Sequence, residues 1–287
     1  MIGQFIKYSS RFVVSVCLLI LLSTGCSETK SNPADKTESN ARETLIWQDE
    51  FEGDQLDTAK WAYQYGAHGW GNNEWQDYTD TGTLTVANGM LAIHAVKTGP
   101  GQKTGDYHSA RINSKQEFTY GRMEIRAKLP EHRGNGIWPA IWMLGNNIQS
   151  AGWPECGELD IMENVSYDPG RIHVSIHSKA NNHVDGTQVT SGPVDVPDAE
   201  LTFHNYGLIW NEDRIQFYLD DPGQILLSFD RPAVHNENNW PFDHPFYFIL
   251  NIAVGGNWGG QKGVDDSIFP ATMLIDYVRV YQNKTAI

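Results

Sequence analysis

The chain has 287 residues, with 21 lysines and arginines against 35 aspartates and glutamates, for a formal net charge of −14. That balance argues against nucleic acid and an anionic membrane surface as partners and disfavours a sulfated polysaccharide, since each calls for a basic face. Length suits one large β-sandwich or two small domains, and ten tryptophans make the composition aromatic-rich.

Lys7 and Arg11 lead into an apolar run, Phe12 to Leu22. It is too short to cross a bilayer and matches the apolar region of a secretory signal. The run ends in Leu22-Ser23-Thr24-Gly25-Cys26. This resembles the lipobox of bacterial lipoproteins, in which cleavage precedes a cysteine whose thiol is lipidated; Ser23 stands where that motif usually carries an aliphatic residue. The competing reading is an ordinary secretory signal cut nearby. Residues 1–25 are therefore expected to be a lipoprotein-type signal peptide, with Cys26 as the membrane anchor. Residues 27–43 contain no aromatic and no large aliphatic side chain, so 26–43 reads as a disordered tether. Cys17 falls in the leader and Cys26 at the anchor, so only Cys156 remains, as a buried structural thiol with no disulfide partner. The expected location is the outer membrane or cell surface as a lipoprotein, otherwise secreted or periplasmic.

From Leu45 to Tyr281 the chain is a series of short alternating or apolar runs divided by Gly, Asn, Asp and Pro. The runs include Met90 to Val96, Tyr107 to Ile112, Gly121 to Leu129, Phe246 to Val254 and Met273 to Tyr281. Tyr206 to Trp210 and Ile215 to Leu219 read as a hairpin, and the second of these turns through Asp220–Gly223 into Ile225 to Phe229. No stretch holds helical periodicity beyond a turn or two, and no linker after residue 44 separates a second domain. The fold predicted for 44–287 is an all-β antiparallel sandwich, a jelly roll with a concave cleft, acting as a monomer. In the last run, alternation places Asp276 on a face with Leu274, Val278 and Val280.

Gly157 to Val165, GELDIMENV, concentrates three carboxylates among apolar residues. On a strand Glu158 and Asp160 share a face, whereas Glu163 falls on the other by strict alternation. One extra residue at Ile161–Met162, a β-bulge, would bring Glu163 round to join them. With it, Glu158 and Glu163 are about four strand steps apart, on the order of 13 Å between Cα atoms. Side chains leaning inward leave the carboxyl groups about 5–6 Å apart, against about 5–5.5 Å for a retaining glycosidase. By themselves the acids fit a solvated edge-strand face equally well.

The neighbouring aromatic residues decide between the two. Trp138 and Trp142, four apart in GIWPAIWMLG, would share one strand face, and Trp258 lies in the glycine-rich GGNWGG, where a core tryptophan is unexpected. Indole platforms beside short polar groups suit the flat C–H faces and hydroxyls of sugars. The blocks IWQDEF, GWGNNEWQDYT, YGRMEIRAKLP, GIWPAIWMLG, WPECGELDIMEN, FYFILNIAVGGNWGG and IDYVRVYQ, spanning about 45–283, resemble the bacterial laminarinases of glycoside hydrolase family 16. Met162 is the extra bulge residue that the lichenases of that family usually lack.

The resemblance implies endo-hydrolysis of β-1,3-glucan with Glu158 as nucleophile, Glu163 as acid/base and Asp160 tuning Glu158. It implies that Asn72, Arg111, Trp138, Trp142, His177 and Trp258 line the substrate cleft. It implies no cofactor for catalysis. A structural calcium at Asp276, with backbone carbonyls near Glu50 and Gly89, would explain that acid on its apolar face; a simple hydrogen bond would serve as well. A zinc site built on His173, His177 and His183 lacks a further ligand at firm spacing. The alternatives are a mixed-linkage β-1,3-1,4-glucanase or galactan hydrolase, and a β-glucan-binding protein without turnover.

Overall fold

The computed structural model describes residues 43–131 and 134–283. The expected signal peptide, Cys26 and all of the tether except Glu43 lie outside the described residues. In chain order the first strands are β1 (Glu43–Asp49), β2 (Trp61–Tyr63), β3 (Gln76–Tyr78), β4 (Leu84–Ala87), β5 (Met90–Lys97), β6 (Tyr107–Ser109), β7 (Arg111–Ser114), β8 (Gly121–Lys128) and β9 (Ile137–Gly145). After them come β10 (Glu158–Glu163), β11 (Arg171–His177), β12 (Val189–Thr190), β13 (Val194–Asp195), β14 (His204–Trp210), β15 (Arg214–Leu219), β16 (Ile225–Asp230), β17 (Phe246–Val254) and β18 (Ala271–Asn283). Helical structure among the described residues is confined to α1 (Ile148–Ala151) and one 3-10 turn, Asp266–Ile268.

The strands form two sheets packed face to face. One runs β16-β15-β14-β8-β18-β5-β6-β3, with β1 on β18 and β4 on β5; the other runs β12-β11-β10-β9-β17-β7-β2, with β13 on β11. All pairings are antiparallel except β3 with β6. Between the sheets lies one core, filled by alternate residues: Ile137, Ile141 and Met143 from β9, Phe246, Phe248, Leu250 and Ile252 from β17, and Met123, Ile125 and Ala127 from β8. Burial of each large apolar side chain stabilises the sandwich by about 1.5–3 kcal/mol. The same alternation that fills the core leaves every second residue of β9, β10, β11 and β17 on the outer face of the second sheet, which carries the site.

Two segments depart from the alternation read along the chain. Tyr107 to Ile112 is not one strand: β6 pairs with β3 and β5 in the first sheet, while β7, one residue later, pairs with β2 and β17 in the second. The chain crosses the edge of the sandwich at Ala110, where Ser109 and Ala110 are buried in succession and the phase of the alternation inverts while its period stays the same.

In β18 a register shift between Ile275 and Tyr277 inverts the phase. Met273, Ile275, Val278 and Val280 are buried, so Asp276 faces outward beside Leu274, and not into an apolar face. There its Oδ2 accepts a hydrogen bond from Arg126 Nη1. The Glu50 carboxylate accepts two from Arg279, at 2.7 and 2.9 Å, and Gly89 turns the β4–β5 hairpin at φ 70°. Asp276 is thus paired with a guanidinium, which serves the acid as the simple hydrogen bond would and opposes a second cation at the same carboxylate.

Candidate active site

Gly157 brings the chain into β10 at φ 76°, where a Cβ would come within 2.9 Å of the Phe246 ring; only glycine fits both demands. Glu158 then lies opposite Leu144 of β9 and His177 of β11, and Asp160 lies opposite Trp142 and Ser175. Past Asp160 the register slips by one. Met162 pairs with Ile141, Ile161 is the extra residue, and Glu163 lies opposite Ala140 and His173. Without the slip Glu163 would fall opposite Pro139, whose side of β9 faces the core. Ile161 and Met162 both enter the core, at 1% and 0% exposure, so the bulge is held by apolar burial on one face and presents three acids on the other.

Each acid has donors or a counter-group aimed at it. Trp138 Nε1 donates to Glu163 Oε1 at 3.0 Å, and Trp153 Nε1 donates to Glu158 Oε2 at 3.2 Å. His177 Nε2 lies 3.1 Å from Asp160 Oδ2 and 3.7 Å from Glu158 Oε1. Burial, then the charge of Asp160, push both Glu158 and Glu163 up to about 8; His177 and the indole donors pull each back in part. Burial likewise holds Asp160 well above the usual carboxylate range. Three acids this close and this dry share protons at neutral pH, one group ionising at the expense of its neighbours.

The flanks are aromatic. On one side the Arg111 guanidinium lies 4.7 Å from the Trp70 ring and 4.8 Å from the Trp142 ring, and Trp142 Nε1 donates to Asn251 Oδ1 at 2.8 Å. Asn72 is tied in through its amide, which donates to Glu74 at 3.3 Å. On the other side Trp258 sets its ring edge-on to Trp138, at 5.3 Å, and to His173, at 4.9 Å. Trp138, Trp142 and His177 thus stand beside the three acids of β10, Arg111 and Trp258 pack on those tryptophans, and Asn72 joins through Glu74.

Among the described residues one histidine–acid cluster could converge on an ion: the ligand atoms of Glu158, Asp160 and His177 lie within 4.8 Å of one another. These are the acids of the site itself. His183 packs its ring on Trp153 and His177, at 4.9 and 5.4 Å, and is not part of that cluster. Cys156 is a free, buried thiol pushed up to about 12 by burial, which leaves it unreactive.

Sequence reasoning missed several participants, among them the Glu158 donor Trp153 and the Arg111 platform Trp70. His173 and Ser175 stand cross-strand from Glu163 and Asp160, a placement hinted at by the alternation in HVSIH. Asn251 is the lone polar residue in FYFILNIAV, and Glu74 has no marker beyond its place in the NNEWQ block.

The sequence profile of "Glycosyl hydrolases family 16" matches residues 67–279. A "Beta-glucanase" of Rhodothermus marinus is 44% identical over 277 residues, covering 92% of this chain and 93% of that protein. The crystal structure of a laminarinase from a Flavobacterium species superposes with a TM-score of 0.75 at 42% identity, over 83% of this chain and 100% of that one. That of SCLam, described as a non-specific endo-beta-1,3(4)-glucanase, gives 0.76 at 42% identity, over 84% of this chain and 92% of that one. Fold, acid-bearing bulge and family profile agree: this chain belongs to glycosyl hydrolase family 16 and is a glycoside hydrolase.

Proposed function

We propose that the protein hydrolyses internal β-1,3-glucosidic bonds of laminarin-type glucans with retention of configuration. The observation that carries the reading is the bulge at Ile161–Met162, which puts Glu158 and Glu163 on one face, as a double displacement by two carboxyl groups requires. Glu158 attacks the anomeric carbon as the bond to the leaving oxygen breaks and Glu163 delivers its proton to that oxygen. Glu163, now a carboxylate, takes a proton from water; the water oxygen attacks the same carbon and releases Glu158. Trp153 and His177 favour the ionised form of Glu158, against burial and the charge of Asp160. Trp138 orients Glu163. A neutral glucan suits an acidic protein whose site offers indole faces, and the laminarinase and β-glucanase relatives point to the same substrate class. No cofactor enters the chemistry.

Incubation with laminarin tests this. Glu158→Ser should abolish product, and NMR of fresh wild-type product should show the β-anomer first; α-anomer first would overturn the mechanism. SCLam acts on β-1,3(4)-glucan, so mixed-linkage glucan belongs in the same substrate panel, with a galactan as the third polymer. We further propose that the protein is an exported monomer held to a membrane by lipid at Cys26; Cys26→Ser should then move it from the membrane pellet to the soluble fraction.

A further inference from the structure

We propose that Glu74 is the positioning residue of this cleft: a buried carboxylate that sets the direction of a hydrogen-bond chain ending on the Trp142 indole. The proposal rests on the glucan-cleaving reading above, with Trp142 and Arg111 lining the sugar cleft as the family resemblance implies.

Glu74 is 5% exposed and lies just ahead of β3, bridged to Gly255 at the base of the Trp258 loop. Its Oε2 accepts from Gln76 Nε2 at 2.6 Å and from Tyr78 Oη at 3.4 Å; its Oε1 accepts from Asn72 Nδ2 at 3.3 Å. Burial raises the Glu74 pKa, but the two amide donors, the Arg111 charge and the Tyr78 hydroxyl pull it back; with a donor on each oxygen the carboxylate accepts and does not donate. Tyr78 must therefore spend its proton on Glu74, and its oxygen is left to accept from Asn251 Nδ2, at 3.0 Å. That fixes which way the Asn251 amide faces: Oδ1 points to Trp142, and Nε1–H of the indole donates to it at 2.8 Å. The Arg111 guanidinium is stacked on that indole and on Trp70, whose ring is edge-on to Tyr78 at 5.1 Å.

A second branch runs the same way. Gln76 donates to Glu74, so its Oε1 is free to accept from Val254 N at 2.7 Å, one residue before the Trp258 loop begins. Asn72 donates to Glu74 through its side chain and accepts from Asn257 N through its carbonyl, at 2.7 Å. One acid thus sets the hydrogen-bond sense on both sides of the cleft, while touching neither Glu158 nor Glu163. Glu74→Gln keeps the shape and puts a donor where three donors already converge. Tyr78 can then accept instead of donate, Asn251 can flip, and the Trp142 indole meets an amide N–H in place of an oxygen.

The test uses full-length protein labelled with 15N at tryptophan, with the Trp142 indole N–H resonance assigned by Trp142→Phe. Glu74→Gln should shift that resonance to the position of an unbonded indole and leave the Trp138 resonance in place. Tyr78→Phe, which keeps the carboxylate but cuts the chain, should give a smaller shift in the same direction; it carries the test if Glu74→Gln does not fold. With laminarin, Glu74→Gln should raise KM about tenfold or more, the effect of one lost strong contact, and hold kcat within about threefold. An unmoved Trp142 resonance in both variants, or a fall in kcat at constant KM, overturns the positioning role. A shifted resonance in a protein whose wild type leaves laminarin intact overturns the glucan reading and leaves the hydrogen-bond chain standing.

Discussion

Glu163→Gln should make the folded protein less sensitive to alkaline pH, even though it removes the proposed acid/base. Glu163 ionises near 4.5 in an unperturbed chain and near 8 in the folded site. A raised folded value means that folding favours the protonated group. Its contribution is fully present below about pH 4.5 and drains away as pH rises toward 8, because the unfolded chain ionises freely over that interval and the folded one does not. At 1.36 kcal/mol per pH unit, a lone glutamate of this kind loses about 3–4 kcal/mol between pH 5 and pH 8. Glu158 titrates in the same window and the two are coupled, so their losses do not simply add. Glutamine is neutral throughout and keeps an oxygen to accept from Trp138 Nε1. For a domain of this size about 2–4 °C of melting temperature corresponds to 1 kcal/mol, so scanning calorimetry should show a pH 5-to-8 decline smaller by about 6–16 °C in the variant. Melting curves of wild type and variant that fall in parallel would refute the claim that burial strains this carboxylate.

Trp138→Phe removes the N–H that stabilises ionised Glu163 but keeps a ring against Trp258; the Glu163 pKa should rise, carrying the alkaline limb of the kcat/KM profile to higher pH, and a move to lower pH would contradict the assigned hydrogen bond. Deleting Met162 removes the bulge yet leaves Glu163 two residues after Asp160, still opposite Ala140 and on the acid face: the folded variant should keep hydrolysing glucan, and urea unfolding should show a loss of about 2–5 kcal/mol from the missing core side chain. Complete loss of hydrolysis in a folded deletion variant would contradict this register. Dialysis against EDTA should leave the melting temperature within about 1 °C, since Arg126 already neutralises Asp276, the one carboxylate that calcium would take; a larger drop reversed by calcium would contradict this.

The reading of ELDIMEN came from the chain alone, and for a definite reason. Strand alternation is a local rule, so a third acid out of phase with the first two already calls for an extra residue, and the only apolar pair between them is Ile161–Met162. The spacing of Trp138 and Trp142 and the glycines around Trp258 are local in the same sense. What alternation cannot report is which strand lies alongside, or where a second bulge resets the count. Asp276 was placed on the wrong face because the slip at Ile275–Tyr277 is set by pairing with β8, more than a hundred residues away. Tyr107 to Ile112 reads as one strand because both sheets impose the same period. His173 and Ser175 gained their acid partners only when β11 docked in register on β10, and Glu74 reached Trp142 only through Tyr78 and Asn251, on strands from opposite ends of the chain. The acids and the bulge were dictated by short-range geometry; the hydrogen-bond partners that hold and tune them were decided by long-range strand pairing, which no local pattern encodes.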